Sequence, residues 1–488
     1  LLAAKIASVD MMSVQGRPLS ARAGYALLAA VALLHATLAI LYANATPYRT
    51  PGYLFVAKSR PWSAVPDIGA PDERQHANYV IHILQGKGLP VYAVMIPDPA
   101  QPGQLTRNPN LEEVYEYHQP PLYYLLTAGF SSLSGLDSTA AENPQSGLRM
   151  RYLNALFGAG TVIGVYALAL WGLRRRDVAL LAASITALLP MNLALSGAIS
   201  NDPLLFCIST WTLAVCALAI REGWTVKRSL VVGALVGLGL LTKTTALALI
   251  PLVVVALLLR KPKWPYAASS AVVTALLVTP WFLRNQRIYG DPLGLRSFQE
   301  LFAGAPKAED LIAGLGPLTY WMDWVGWWTA RSFFGVFSYM DIFLNERGNS
   351  YTGPPTNFGP AAPNTLYRIL IGLAVIAIFG FLLYLRSPEA KATKRIHLLN
   401  GIFLALITVL FIRYNLSFFQ GQARYFYPAI GPIAIGLSLG ALYWAKSRSR
   451  LVIAAIAAGL FVLNAYALTR LPVEFQKRTR GTSSNQLG

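Results

Sequence analysis

Nine apolar runs, residues 24–43, 150–173, 178–199, 203–220, 265–282, 366–385, 396–413, 427–445 and 451–469, each approach the length needed to cross the hydrocarbon core of a bilayer. Short basic clusters separate them: Arg174-Arg175-Arg176, Arg221/Lys227/Arg228, Arg260/Lys261/Lys263, Lys391/Lys394/Arg395 and Lys446/Arg448/Arg450. The positive-inside rule assigns every cluster to the cytoplasm, and that demand fixes the parity of the crossings. A chain that is 55% hydrophobic and only 13% charged over 488 residues is no soluble globular protein. Its net charge of +19 would suggest nucleic acid, but the Lys and Arg residues fall mostly between the apolar runs, so membrane lipids are the expected partner and nucleic acid is not.

Parity also decides two ambiguous segments. The run 120–133 would reach only about 21 Å as a helix, and a crossing there would move the Arg174 cluster outside, so it is expected to lie in the outer leaflet. The run 229–259 is too long for one span and too short for two. Both flanks are basic, so it is expected to rise and return as two short helices turning at Lys243, below the membrane surface. The expected architecture is all-α and integral to the membrane, with about eleven transmembrane helices and a retained N-terminal anchor. Residues 1–23 form a cytoplasmic segment, 24–470 the membrane domain, and 471–488 an extracytoplasmic tail. Long external loops span about 44–149 and 283–365; the second carries the aromatic stretch 320–343, which suits the bilayer interface or a plain interfacial helix.

This topology gathers chemistry on one face. The stretch "PDERQHANYV" (71–80) lies in the first external loop, and Asp202 sits in a connection of a few residues between two spans. Lys243 rises beneath the same face, and "GQARYFYP" (421–428) brings Arg424 there. The segment after Pro71 also reads as an ordinary helix start, with Asp72 and Glu73 meeting the positive end of the helix dipole and His76 one turn on. Beside Asp202 and Lys243 a chemical reading gains weight: a carboxylate takes a proton from an acceptor hydroxyl while Lys and Arg hold a departing lipid phosphate. Asp72, shorter and stiffer than Glu73, is the expected base. His76 and His118, with Asp72 and Asp202, also offer donors that suit a divalent metal such as Zn or Mn, although no ligand spacing of the His-x-x-His kind is present.

The ordered set "PDERQHANY", "YHQPPLYYLL", "ISNDPLLF", "GLGLLTKTTALALIP", "PWFLRNQRIYGDPL" and "GQARYFYP" resembles the GT-C superfamily of integral membrane glycosyltransferases, over about residues 20–445. The resemblance implies a GT-C fold and transfer of a sugar from a polyprenyl-phosphate carrier to a glycan, lipid or protein acceptor. It implies catalytic or metal-binding roles for Asp72 and Glu73, and a second acidic position at Asp202. Lys243 is implied to contact the lipid phosphate, and Arg424 matches the family's Arg-Tyr arginine; His118, Gln119, His76, Asn201 and Tyr425 complete the candidate substrate- and lipid-phosphate-binding set. Relatives that transfer aminoarabinose place Glu-Lys before the Pro-Pro-Leu-Tyr-Tyr motif, where this chain has His118-Gln119. The nearest type is a small bacterial enzyme of the cytoplasmic membrane, its site facing the exterior. A secondary transporter or lipid flippase is the alternative; such folds usually show paired repeats with interrupted helices in both halves, and here only one recessed turn is seen.

Overall fold

The computed structural model describes residues 21–54, 63–98, 100, 101, 103–294, 299, 307–344 and 365–480. Its long helices are α1 (Ala21–Ala45), α4 (Arg151–Leu173), α7 (Asp202–Glu222), α10 (Trp264–Tyr289), α12 (Thr365–Tyr384), α13 (Lys394–Ser417), α14 (Ile430–Ala445) and α15 (Ser449–Arg480). The shorter ones are α2 (Glu73–Leu84), α3 (Leu122–Leu133), α5 (Arg176–Leu188), α6 (Pro190–Ser196), α8 (Val226–Leu240), α9 (Leu249–Leu259) and α11 (Trp327–Phe334). Sheet is confined, among the described residues, to three two-stranded antiparallel ribbons. The chain is an all-α multi-pass membrane protein.

Among the described residues, seven helical stretches are long and apolar enough to cross a membrane, or eight when α5 and α6, bent by 62° at Leu189-Pro190, count as one span. Pro190 lacks the amide hydrogen a continuous helix would need, which accounts for the bend. The expected count of about eleven also includes the arms α8 and α9, which are individually too short, and divides the stretch Ala423–Arg480 in two. That stretch breaks at Lys446, where φ is +48°. Both its ends return to one face: the Ala423 amide donates to Ser332 Oγ at 2.8 Å, and Arg478 Nε donates to Asp341 Oδ2 at 2.9 Å.

The bundle is built around α7, whose most apolar window is 83% buried, against 17% for α10 and α12 at the rim. The seams of α4 with α7 and with α1 close on small residues. A Cβ at Gly160 would stand 2.9 Å from Cys207 Sγ, and one at Gly158 would stand 2.3 Å from His35 Nε2. Such close approach is how apolar helices gain packing in lipid, where the hydrophobic effect between them is absent. Arg151 and Asp202 mark one end of the α4–α7 pair, and Arg174 and Arg221 the other.

The ends of the bundle differ. At one, α2, α3, α11 and the ribbons form a cap; at the other lie the basic clusters. Helix α3 buries Tyr123, Tyr124, Thr127, Ala128 and Ser131 and leaves Leu125, Leu126 and Leu133 exposed, the amphipathic pattern of a helix lying in an interface. The stretch 320–343 departs from a plain interfacial helix. A π-helical turn at Tyr320–Gly326 leads into α11, which folds back on the bundle through bonds from the Tyr427 hydroxyl to the Phe333 carbonyl and the Tyr367 hydroxyl to the Gly335 carbonyl. Arg331, 1% exposed, lies over the Trp328 ring at 4.6 Å. Aromatic density alone does not separate a lipid interface from this cap packing. Within the tail expected from 471, α15 continues to Arg480 and buries Leu471, Phe475 and Arg478, while 481–488 lie outside the described residues.

The two ends should be separable by labelling. With Cys207 and Cys216 replaced, a cysteine at exposed Gln104 should react with an impermeant reagent in intact cells. One at exposed Arg386 should react only after permeabilisation. The reverse pattern would invert the assignment of the cap to the exterior.

Candidate active site

Helix α2 begins at Glu73, and Asp72 precedes it with φ +63° and ψ −2°, a left-handed backbone that a non-glycine residue rarely holds. Its side chain makes no cap bond to the helix it introduces. The side-chain capping role is therefore unfilled. The carboxylate instead accepts from two distant residues, the Tyr115 hydroxyl at 2.5 Å and Arg424 Nη2 at 2.9 Å. Burial would raise the Asp72 pKa, but the Arg424 guanidinium and the Tyr115 hydrogen bond outweigh it and hold the carboxyl below its usual range.

A second pair stands beside the first. Lys243 follows the turn between α8 and a 3-10 turn at Thr244–Ala248 that leads into α9, and its Nζ donates to Asp202 Oδ1 at 2.5 Å. The hairpin tip is fixed by its neighbours: the Leu122 amide donates to the Leu241 carbonyl at 2.9 Å, and Asn201 Nδ2 reaches the Thr242 carbonyl at 3.2 Å and Gln119 Oε1 at 3.3 Å. Residues 118–122, 200–202 and 241–243 thus meet at one point. Lys243 and Arg424 keep 17% and 14% of their side chains exposed, so an incoming anion has access to both.

His76 and Glu116 lie in the same electrostatic neighbourhood. His76 Nδ1 is 2.8 Å from the Tyr124 hydroxyl and 3.7 Å from Glu116 Oε2. Burial raises the Glu116 carboxyl, and the charges it senses are those of His76, Asp72, Lys243 and Arg424. Burial lowers His76 and pushes His118 down to about 4, so imidazole in its neutral form is the species present near neutrality. Glu116 Oε2 is buried with no hydrogen-bond partner among the described residues.

The remaining sequence-predicted residues divide. Tyr425 steadies its neighbour, its ring 5.3 Å from the Arg424 guanidinium carbon and its hydroxyl donating to Gln420 Oε1 at 3.2 Å. Asn201, Gln119 and His118, whose Nδ1 meets the Tyr115 carbonyl at 2.5 Å, are buried beside the pairs. Glu73 is placed away from the site. It is fully buried, takes two bonds from Arg151 and one from the Ile199 amide, and has no exposed surface for a substrate.

Three residues that matter here, Tyr115, Glu116 and Arg151, were not legible from the sequence. The one usable signal was an acid, Glu116, lying next to the "YHQPPLYY" motif. Among the described residues no three His, Cys, Asp or Glu side chains meet in an arrangement that would hold a metal ion. The two site aspartates face cations, Asp72 meeting Arg424 and Asp202 meeting Lys243.

Residues 112–287 match the family described as dolichyl-phosphate-mannose-protein mannosyltransferase. No curated protein sequence matches the chain. Among solved structures, the chain is similar to the Archaeoglobus fulgidus oligosaccharyltransferase tethered with an acceptor peptide, with a TM-score of 0.52, 14% identity, and coverage of 92% of this chain and 55% of that one. The oligosaccharyltransferase from the same archaeon, in complex with an inhibitory peptide and a dolichol-phosphate, gives 0.51 and 13%, covering 92% and 56%. ArnT from Cupriavidus metallidurans bound to undecaprenyl phosphate gives 0.38 and 18%, covering 88% and 79%. The chain thus spans about half the length of the archaeal oligosaccharyltransferase it matches.

Proposed function

We propose that this chain, an all-α membrane protein of the GT-C fold, transfers a sugar from a polyprenyl-phosphate carrier to an acceptor hydroxyl on the external face, with Asp72 as general base. The observation that carries the reading is the pair of carboxylate–cation contacts, Asp72 with Arg424 and Asp202 with Lys243, assembled from separate parts of the chain beside the turn between α8 and α9. The match of residues 112–287 to a mannosyltransferase family that uses a dolichyl-phosphate sugar supports the donor class. So does the dolichol-phosphate held by the archaeal enzyme of similar fold.

In this mechanism the donor phosphate takes hydrogen bonds from Lys243 and Arg424 in place of the two carboxylates. Asp72, relieved of its guanidinium partner, becomes a stronger base. It removes the acceptor hydroxyl proton as the acceptor oxygen bonds to the anomeric carbon. The bond from that carbon to the phosphate oxygen breaks, and the leaving phosphate keeps the electron pair beside the two fixed cations. The polyprenyl tail stays in the bilayer, which suits the recessed turn that the short arms α8 and α9 lead one to expect at Lys243. Asp202 holds Lys243 in place between turnovers.

A charge-assisted contact to phosphate contributes about 1.5–3 kcal/mol, so Lys243→Ala should weaken use of the lipid donor by roughly 10- to 150-fold, read as the KM for the donor. Purified protein in detergent should form the new glycosidic bond without a gradient and should ignore nucleotide sugars. If cell-extract donors and acceptors yield no product while reconstituted vesicles move substrate across the bilayer, the chain is a transporter and the proposal fails.

A further inference from the structure

At the end of the bundle remote from Asp72, a cavity of about 440 Å³ opens between the helix ends. Six of the ten residues that line it are cationic and none is acidic: Arg174, Arg221, Arg260, Lys391, Lys394 and Arg395. They come from four places in the chain: the end of α4, the end of α7, the end of α9, and the turn before α13 with its first residues. Helix α7, of 21 residues, has Asp202 at one end and Arg221 in its last turn, which sets the cavity about 28 Å from the candidate active site.

The ordinary account of such residues is the solvated positive charge that flanks membrane spans. Three observations go further. The charges enclose a volume within the range of small-ligand pockets, about 300–1,000 Å³, instead of spreading over a convex surface. Of the nearby carboxylates, Glu222 pairs with one of the six, Arg174, and with Arg228, while Glu389 pairs with Arg175 outside the lining. Arg221, Lys391, Lys394 and Arg395 make no side-chain hydrogen bond or ion pair among the described residues. The fold holds the cavity open against this repulsion: Arg260 Nη1 donates to the Ile220 and Arg221 carbonyls at 3.0 and 2.5 Å, tying the end of α9 to the end of α7.

We infer that this cavity is a binding site for a phosphate-bearing anion, distinct from the site that would take the sugar donor. Planar guanidinium groups from three helix ends and two lysines offer donors from several directions, the pattern that grips phosphate oxygens. The shared chemistry fits an anionic phospholipid headgroup, since basic pockets between membrane helices collect such headgroups. It equally fits a soluble polyphosphate.

The test uses the full chain in nanodiscs containing equal phosphatidylglycerol and phosphatidylcholine, with retained lipid counted by native mass spectrometry. The wild type should retain phosphatidylglycerol preferentially. Lys394→Gln with Arg395→Gln, which breaks no internal bond, should cut that preference by roughly 10- to 30-fold. Lys446→Gln, Arg448→Gln and Arg450→Gln together, on the same face but outside the cavity, should leave it unchanged. A parallel arm measures thermal stabilisation of the detergent-solubilised wild type by inorganic pyrophosphate, which a soluble-anion site would show and the Lys394/Arg395 variant would lose. Lipid retention alone assigns the site to a headgroup, and stabilisation alone to a soluble phosphate. If the wild type shows neither, or if the control triple variant loses as much as the cavity variant, the residues are ordinary flanking charge and the inference is wrong.

Discussion

Asp72→Asn is expected to lower turnover by about 100-fold or more while leaving affinity for the lipid donor nearly unchanged. Asparagine keeps the length and planar shape of the side chain, and its oxygen still accepts from Arg424 or Tyr115, the two partners seen in the structure. What it loses is the capacity to take a proton. A drop in kcat with an intact donor KM therefore isolates the base from the phosphate-binding cations, and near-normal turnover would return Asp72 to the role of a helix-start residue with an odd backbone. The pH profile gives a second check with a definite sign. Arg424 and Tyr115 hold the Asp72 carboxyl below its usual range in the donor-free enzyme, so kcat/KM should stay flat on lowering the pH through the ordinary aspartate range and fall only beneath it. An acid limb nearer neutrality would point to a different base, with buried Glu116, whose carboxyl is raised, the first alternative.

What could be read from the sequence was whatever topology controls. The convergence of Asp72, Asp202, Lys243 and Arg424 followed from counting crossings against basic clusters, because a short inter-span connection and a short helical hairpin leave a side chain little freedom in depth. The structure brings these four together as two pairs. The pairing itself was not readable, since Asp72 and Arg424 are joined across 352 positions by packing of the cap on the bundle. Arg151 was hidden for a related reason. It stands at the first turn of α4, where a lone arginine reads as flanking charge, and only the return of α2 beneath it reveals a partner. The bend at Pro190 and the extension of α15 to Arg480 were missed because apolar run length says nothing of helix direction or of polar helix stabilised by ion pairs such as Arg478–Asp341.

Removing Arg151 should have the largest effect on stability, and it separates two readings of Glu73. Both side chains are fully buried, and the guanidinium donates through Nε and Nη2 to the two carboxylate oxygens at 2.7 and 2.6 Å. Its other bonds go to the carbonyls of Ala43, Thr46 and Pro47, and Glu73 also accepts from the Ile199 amide at 2.8 Å. One ion pair thereby joins the end of α1, the start of α2, the start of α4 and the connection after α6. Deleting one partner of such a pair leaves a buried charge uncompensated, which costs about 3–5 kcal/mol, whereas replacing both with apolar residues of similar volume is often near neutral. Arg151→Ala should therefore collapse the thermal midpoint in detergent, and Arg151→Met combined with Glu73→Leu should recover much of the loss. Glu73→Gln should lower stability while the folded fraction keeps most of its specific activity, because Glu73 has no surface open to a substrate. A Glu73→Gln protein with a wild-type midpoint and no activity would place Glu73 among the catalytic groups after all, and would mean that the α2 end of the cap opens during turnover to expose it.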